Sequence, residues 1–427
     1  MAVTIASILM LMLFLVNIPI SLAVIGVTFV YFFLSGQLEP MIAVQRFIGG
    51  AQSPALLAVP FFIMLGSIMN NTGVAKRMLN LAEVLTGHLP GGLAQVNVLL
   101  ATLMGGLSAS NLADAAMQTK MLVPEMEKRG YDKGFAAAVV ASSSLVTPII
   151  PPGIALILYG FIANVSIAKM FMAGVIPGLL MAIMLMITVS IVSKRRGYLP
   201  IRDHGPRVKE VGTALKEAFW ALVLILVIIG GIRVGIFTPT EAGAVAIFYV
   251  IFVGRYMYKE TKWVDVKDAL LEAARSTGSI MFIIMAAAGF AWILTWEQIA
   301  SNLAIFITGI TSSPTLFLIV INIFLLIVGM FIEGNAAMIV LIPLLLPTVL
   351  ALGIDPIHFG VIFIVNMALG TLTPPMGTVT LLTTGLTGVK LDKFVRELLP
   401  FFIALCVALV LITYFPFLSL WLPSTLK

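Results

Sequence analysis

The chain has 427 residues, of which 60% are hydrophobic and 10% charged, and its mean hydropathy is +1.12, a balance that excludes a soluble globular domain and marks an integral membrane protein. Its apolar runs are long rather than alternating, which excludes an outer-membrane barrel, and its net charge of +6 comes from basic loops that report membrane orientation and not nucleic-acid binding. A single cysteine, Cys406, and three scattered histidines, His88, His204 and His358, leave no disulfide framework and no thiolate or imidazole metal site.

Val3 to Phe33 lacks the basic start and small-residue cleavage site of a signal peptide, so it is expected to remain in the bilayer. Asn17-Ile18-Pro19 divides it into two short crossings, with one long tilted helix as the alternative. Between Ser35 and Ser53, Met41, Val44 and Ile48 recur at helical spacing, the pattern of an interfacial amphipathic arm. Two apolar runs then flank the polar stretch Gly105 to Asp114, read GGLSASNLAD. Each run holds roughly a dozen residues where a span needs about 20, so residues 93–123 read as a re-entrant hairpin. Lipid cannot satisfy the backbone groups of such a tip, which makes Ser108, Ser110 and Asn111 candidate ligands for an ion or a substrate. The next helix, 134–163, is broken at Thr147-Pro148-Ile149-Ile150-Pro151-Pro152-Gly153, because each proline removes a donor and clashes with the preceding turn.

A shift of about 223 positions superposes these features on the second half. Gly130-Tyr131-Asp132 falls on Gly353-Ile354-Asp355, Pro151-Pro152 on Pro374-Pro375, and Pro177 on Pro400. The second half therefore holds its own hairpin, 315–347, with a tip at Phe331 to Asn335, and its own broken helix, 357–387, interrupted from Thr371 to Gly377. Its arm, 255–275, carries Trp263, Val266 and Leu270. Lys128, Arg129 and Lys133 place the loop after the first hairpin inside, whereas the matching loop from Thr348 to Pro356 has no base and belongs outside. The halves are thus expected to be inverted-topology repeats, 1–196 and 218–427, joined by a basic cytoplasmic linker, 197–217. The fold class is an all-α polytopic membrane protein with five crossings and one hairpin per repeat and both termini outside.

Carbonyls freed at the two breaks, with Ser and Thr hydroxyls, suit a small hard cation such as Na⁺, while half-helix N-termini suit an anion. Asp114 and Glu333 either serve a cation site, hydrogen-bond their own hairpins or face a water-filled vestibule. Arg233 and Glu241 flank Thr238-Pro239-Thr240 and read as interfacial. No nucleophile, acid pair or phosphate loop is present to carry catalysis, so an enzyme is not expected.

The stretches GGLSASNLADAA (Gly105 to Ala116), TPIIPPG (Thr147 to Gly153), TPTEA (Thr238 to Ala242), GxxxxGN (Gly329 to Asn335) and TLTPPMG (from Thr371) together resemble the large membrane subunit of tripartite ATP-independent periplasmic (TRAP) transporters, over essentially the whole chain. That resemblance implies an elevator-type, Na⁺-coupled importer in a bacterial inner membrane, multi-pass with periplasmic termini. It implies three partners besides the lipid bilayer: a periplasmic substrate-binding protein, an organic-anion substrate, and a small four-helix membrane subunit. The small subunit is expected on a separate polypeptide, since no further helices precede Val3. Carried over, one Na⁺ site would use Ser108, Ser110, Asn111, Thr147 and Pro148, and the other Gly334, Asn335, Thr373, Pro374 and Gly377. Substrate would lie between the tips, near Ser108, Asn111, Pro151, Pro152, Asn335 and Thr378. Sialic acid is slightly preferred over C4-dicarboxylates and 2-oxo acids. A stand-alone divalent-anion/Na⁺ symporter is the nearest alternative, and an ion channel a distant one.

Overall fold

Backbone polar groups cannot be left open in hydrocarbon, and the chain meets that demand with helices throughout. A computed structural model describes residues 2–16, 18–36, 39–69, 72–108, 110–374 and 376–426, and shows twenty α-helices and no strand among them. Residues 3–33 form two helices, α1 (Ala2–Leu15) and α2 (Ile20–Ser35), which pack along each other. The hinge holds Pro19, directly before α2, where a missing N–H costs nothing; Asn17 lies outside the described residues. One tilted helix is therefore excluded.

The first arm is α3 (Pro40–Gly50), which turns Ala43 and Phe47 inward and leaves Met41, Val44 and Ile48 exposed. A bend of 50° leads through Pro54 into α4 (Ala58–Met69), followed by α5 (Val74–Thr86). The next pair, α6 (Gly92–Ser108) and α7 (Asn111–Lys128), occupies the first hairpin. The first broken helix is α8 (Lys133–Ser143), a short 3₁₀ turn, and α9 (Ile154–Ile162). Then come α10 (Ile167–Arg196), α11 (Val208–Arg233) and α12 (Pro239–Phe252), the last opened by a Thr238/Glu241 capping box that uses both side chains locally.

The stretch expected as a separate arm at 255–275 is built differently. A π turn at Val253–Met257 ends α12, and α13 begins at Trp263 and runs unbroken to Trp296. No proline interrupts those 34 residues, so the amphipathic start continues directly into a long apolar helix of about 50 Å. After α14 (Ile299–Ile310), α15 (Pro314–Gly329) and α16 (Gly334–Ala351) form the second hairpin pair. The second broken helix comprises α17 (Pro356–Gly370) and α18 (Thr378–Thr387), and α19 (Leu391–Tyr414) and α20 (Phe417–Ser424) close the chain.

Among the described residues, six helices are long and apolar enough to cross a membrane alone, or seven if α3 and α4 count as one bent span. Fewer helices pass that test than the ten crossings expected, because α1, α2 and the halves of both broken helices, α8, α9, α17 and α18, each fall short of 18 residues, and α4 passes only together with α3. The core sits around the half-helices that lead into the breaks: every residue from Gly134 to Ser143 in α8 and from His358 to Gly370 in α17 is buried. Helices α6, α7, α9, α10, α15, α18 and α19 pack on this pair, while α4, α5, α13 and α14 lie against the hairpins from outside. A second, smaller core joins α1, α2, α3 and α13. Leu179, Ile183, Ile187 and Ile191 recur along one exposed face of α10, as Leu399, Ile403, Val407 and Val410 do on α19, as lipid-facing surfaces require.

Candidate functional site

Each hairpin turns where a polar side chain caps its second helix. In the first, Ser110 takes extended backbone angles and its Oγ accepts the Ala113 N–H at 3.3 Å, while Asn111 Oδ1 accepts the Leu112 N–H at 3.0 Å. In the second, Glu333 does that work: Oε2 accepts the Ala336 N–H at 3.1 Å and Oε1 the Asn335 amide at 2.9 Å. Glu333 is thus the hairpin's own cap.

The tips meet the breaks through glycine. A Cβ on Gly105 would stand 3.0 Å from Thr147 Cα, and one on Gly370 would stand 2.4 Å from Gly329 Cα. At the first contact, the Thr147 hydroxyl donates to the buried Asp114 carboxylate, tying break to hairpin. At the second, the break is held by its own turn. The Thr371 carbonyl accepts the Val379 N–H at 3.1 Å, Thr373 O accepts the Gly377 N–H at 3.1 Å, and the Thr380 hydroxyl donates to Leu372 O at 2.7 Å.

Between the two tips lies a cavity of about 320 Å³, within the range of small-molecule sites. Ser110, Asn111, Pro148 and Ile154 line it from the first half, and Glu333, Gly334, Asn335, Met367, Thr371 and Thr378 from the second. Another wall comes from Ile63, Gly66 and Ser67 on α4 and Glu272, Ser276 and Ile280 on α13. Among the described residues no Lys, Arg or His lines the cavity. The N-termini of α7, α9, α16 and α18 all contribute residues to the wall, and positive potential comes from α7, α9 and α18, the α16 end being offset by the Glu333 carboxylate. Side chains cap α7 and α16, whereas α9 follows Gly153 with no side-chain cap and has Ile154 and Ala155 in the wall.

Of the residues expected from sequence, Ser110, Asn111, Pro148, Gly334, Asn335 and Thr378 share this cavity. Thr147 lies behind it, with its hydroxyl engaged by Asp114. Thr373, Pro374 and Gly377 stand off the wall in the second turn, and Pro151 and Pro152 are buried within the first break. Ser108 ends α6, with its side chain outside the described residues, as is Pro375. Ser67, Glu272 and Ser276 had not been singled out. Glu272 was legible as a carboxylate near a long apolar run, but reading 255–275 as a surface arm hid it. Among the described residues no group of three His, Cys, Asp or Glu side chains is gathered. Oxygen donors here are carbonyls, hydroxyls, amides and single carboxylates, a set suited to hard cations.

The family described as "Tripartite ATP-independent periplasmic transporter, DctM component" matches residues 5–418. The chain is 37% identical over 406 residues, 95% of each protein, to the sialic acid TRAP transporter large permease protein SiaM of Vibrio cholerae. It is 40% identical over 373 residues, 87% of this chain and 86% of the relative, to the C4-dicarboxylate TRAP transporter large permease protein DctM of Pseudomonas aeruginosa. Among solved structures, the YdaH transporter of Alcanivorax borkumensis is similar with a TM-score of 0.60 at 14% identity, covering 87% of this chain and 86% of that one. That likeness is one of fold.

Proposed function

The chain belongs to the DctM family of TRAP transporter large permeases, and from that premise we propose that it imports an organic anion by Na⁺-coupled elevator movement of its hairpins and broken helices. Membership makes it a multi-pass protein of a bacterial inner membrane that works with a small permease subunit and a periplasmic binding protein.

One observation carries the reading of the cavity: four helix N-termini, three of them without a carboxylate cap, converge on a space between two hairpin tips where no basic side chain stands among the described residues. Each N-terminus presents about half a positive charge, and a buried anion gains up to roughly 2 kcal/mol from a well-placed one. The substrate carboxylate would lie there, within reach of Asn111, Asn335 and Thr378, while Pro151 and Pro152 shape the break behind it. Na⁺ would bind at the seams between tips and breaks. The first seam offers Ser108, Ser110, Asn111, Thr147 and Pro148 with Asp114 beside them. The second offers Gly334, Asn335, Thr373, Pro374 and Gly377.

Coupling requires only that ion and substrate together stabilise the state that crosses more than either alone. The inverted relation of the two halves, with both termini periplasmic, would supply matching outward and inward forms. Sialic acid is slightly preferred as cargo, in keeping with the Vibrio relative, with C4-dicarboxylates, the cargo in the Pseudomonas relative's name, and 2-oxo acids next.

The test is uptake of labelled sialic acid into proteoliposomes holding this chain and its small subunit. Accumulation is expected only with an inward Na⁺ gradient and the binding protein. Accumulation without the binding protein would favour a stand-alone symporter, and fluxes that never saturate would favour a channel.

A further inference from the structure

The wall that α4 and α13 form carries an exposed carboxylate with no ion pair among the described residues. Glu272 stands on α13, and its Oε2 accepts a hydrogen bond from Ser67 Oγ on α4. Its other oxygen, Oε1, has no partner among the described residues, and Arg275, one turn on, forms no ion pair with it. The second cavity carboxylate, Glu333, differs in being spent: both its oxygens already accept from its own hairpin. Ser276 stands on the same wall, one turn beyond Glu272. The cavity is therefore polarised. The N-termini of α7, α9 and α18, none of which a carboxylate caps, supply the positive side, the α16 end being offset by Glu333, and Glu272 with Ser67 and Ser276 forms an acceptor-rich side.

We propose that Glu272 is a specificity-determining residue that selects hydroxylated monocarboxylates and excludes dicarboxylates, an inference resting on this cavity being the transport site. An anion held by its carboxylate at the N-termini presents its far end to α13. A hydroxyl there donates to the open oxygen of Glu272, a charge-assisted hydrogen bond stronger than a neutral one. A second carboxylate there meets a like charge with no Lys, Arg or His among the described residues of the wall to relieve it. The frame helix, rather than either tip, then reads the part of the substrate remote from its carboxylate.

Thermal-shift titration of the purified chain with its small subunit in Na⁺ buffer, using sialic acid and succinate as probes, measures this without the binding protein's own selectivity. The wild type is expected to bind sialic acid at least ten-fold more tightly than succinate. E272Q should weaken sialic acid three- to ten-fold and strengthen succinate, so that the ratio falls to near one. S67A keeps the carboxylate and should keep the ratio above ten, which also guards against a poorly folded E272Q. Succinate bound as well as sialic acid by the wild type, or an unchanged ratio in folded E272Q, overturns the proposal. Uptake driven by Na⁺ is measured alongside for both acids. If uptake persists while the ratio fails to move, the specificity role falls and the transport reading stands; if neither acid is bound or carried, the specificity role and the sialic acid preference fall together.

Discussion

Asp114 is buried beside the first break and accepts the Thr147 hydroxyl, so a carboxylate and a hydroxyl hold hairpin and broken helix in one register. Removing that donor with T147A takes one partner from a buried carboxylate. A hydrogen bond to a charged group contributes about 1.5–3 kcal/mol, and T147A is expected to lose an amount in that range by thermal unfolding in Na⁺ buffer. If the same pair borders a Na⁺ site, the Na⁺ concentration for half-maximal uptake should rise about ten-fold. A stability loss with an unchanged Na⁺ response would leave Thr147 a packing residue only. Gly370 makes a second residue-scale test, since its Cβ would stand 2.4 Å from Gly329 Cα, backbone against backbone, where neither side can yield. G370A should cost about 1–3 kcal/mol or more through overpacking. G385A, on an open face of α18 with nothing within 4 Å, should be neutral or slightly stabilising. Equal effects from the two would show that the seam is soft.

At the scale of elements, the first half-helices of both breaks start alike. Asp132 Oδ1 caps α8 through the Gly134 and Phe135 N–H groups, and Asp355 Oδ1 caps α17 through Ile357 and His358. Only Asp132 also reaches another helix, its Oδ2 standing 2.7 Å from Lys393 Nζ at the start of α19. Burial alone would raise the Asp132 pKa, but the Lys393 ammonium and the two backbone donors outweigh it and hold the group below the usual range. A depressed folded pKa contributes stability above the unfolded value and loses it as pH falls through the folded one. D132N keeps a good cap but cannot titrate, so its unfolding temperature should vary less than the wild type's on the acid side of neutrality. D132A should lose about 0.5–2 kcal/mol at neutral pH as the cap disappears. Parallel acid profiles for wild type and D132N would refute the linkage. Such caps, the Pro-rich breaks and the Gly/Ser tips are legible in sequence because their chemistry is local: a proline stops a helix wherever the chain lies. The extent of α13 was not, because Trp263, Val266 and Leu270 fit a surface arm and a helix entrance equally well, and only packing on α3 and α4 distinguishes them. Glu272 was lost with it. Helix partners in general were illegible, since lipid-facing and core-facing apolar residues look the same in a membrane chain.

Across the whole molecule, the cavity lies at a boundary between two groups of helices. Tips and breaks contribute Ser110, Asn111, Pro148, Asn335 and Thr378, whereas Ser67, Glu272 and Ser276 come from α4 and α13, which pack on each other and, with α3, on the far side. An elevator needs such a boundary, with substrate carried on one side of it past the other. Joining the sides should therefore stop transport without touching either core. In a C406S background, which removes the one native cysteine, I280C and M338C place one thiol on each side of the cavity, at residues that hold neither ion nor substrate in this reading. Before cross-linking, the double variant should retain most Na⁺-driven uptake. A short bifunctional thiol reagent should then abolish nearly all of it, and neither single variant should respond. Within the hairpin side, the pair M338C and M367C should cross-link with far less loss, because those residues would travel together. Full transport by a chain shown to be cross-linked from Ile280 to Met338 would mean that the tips do not slide against α13, and that access to the cavity alternates by local opening of the hairpins instead.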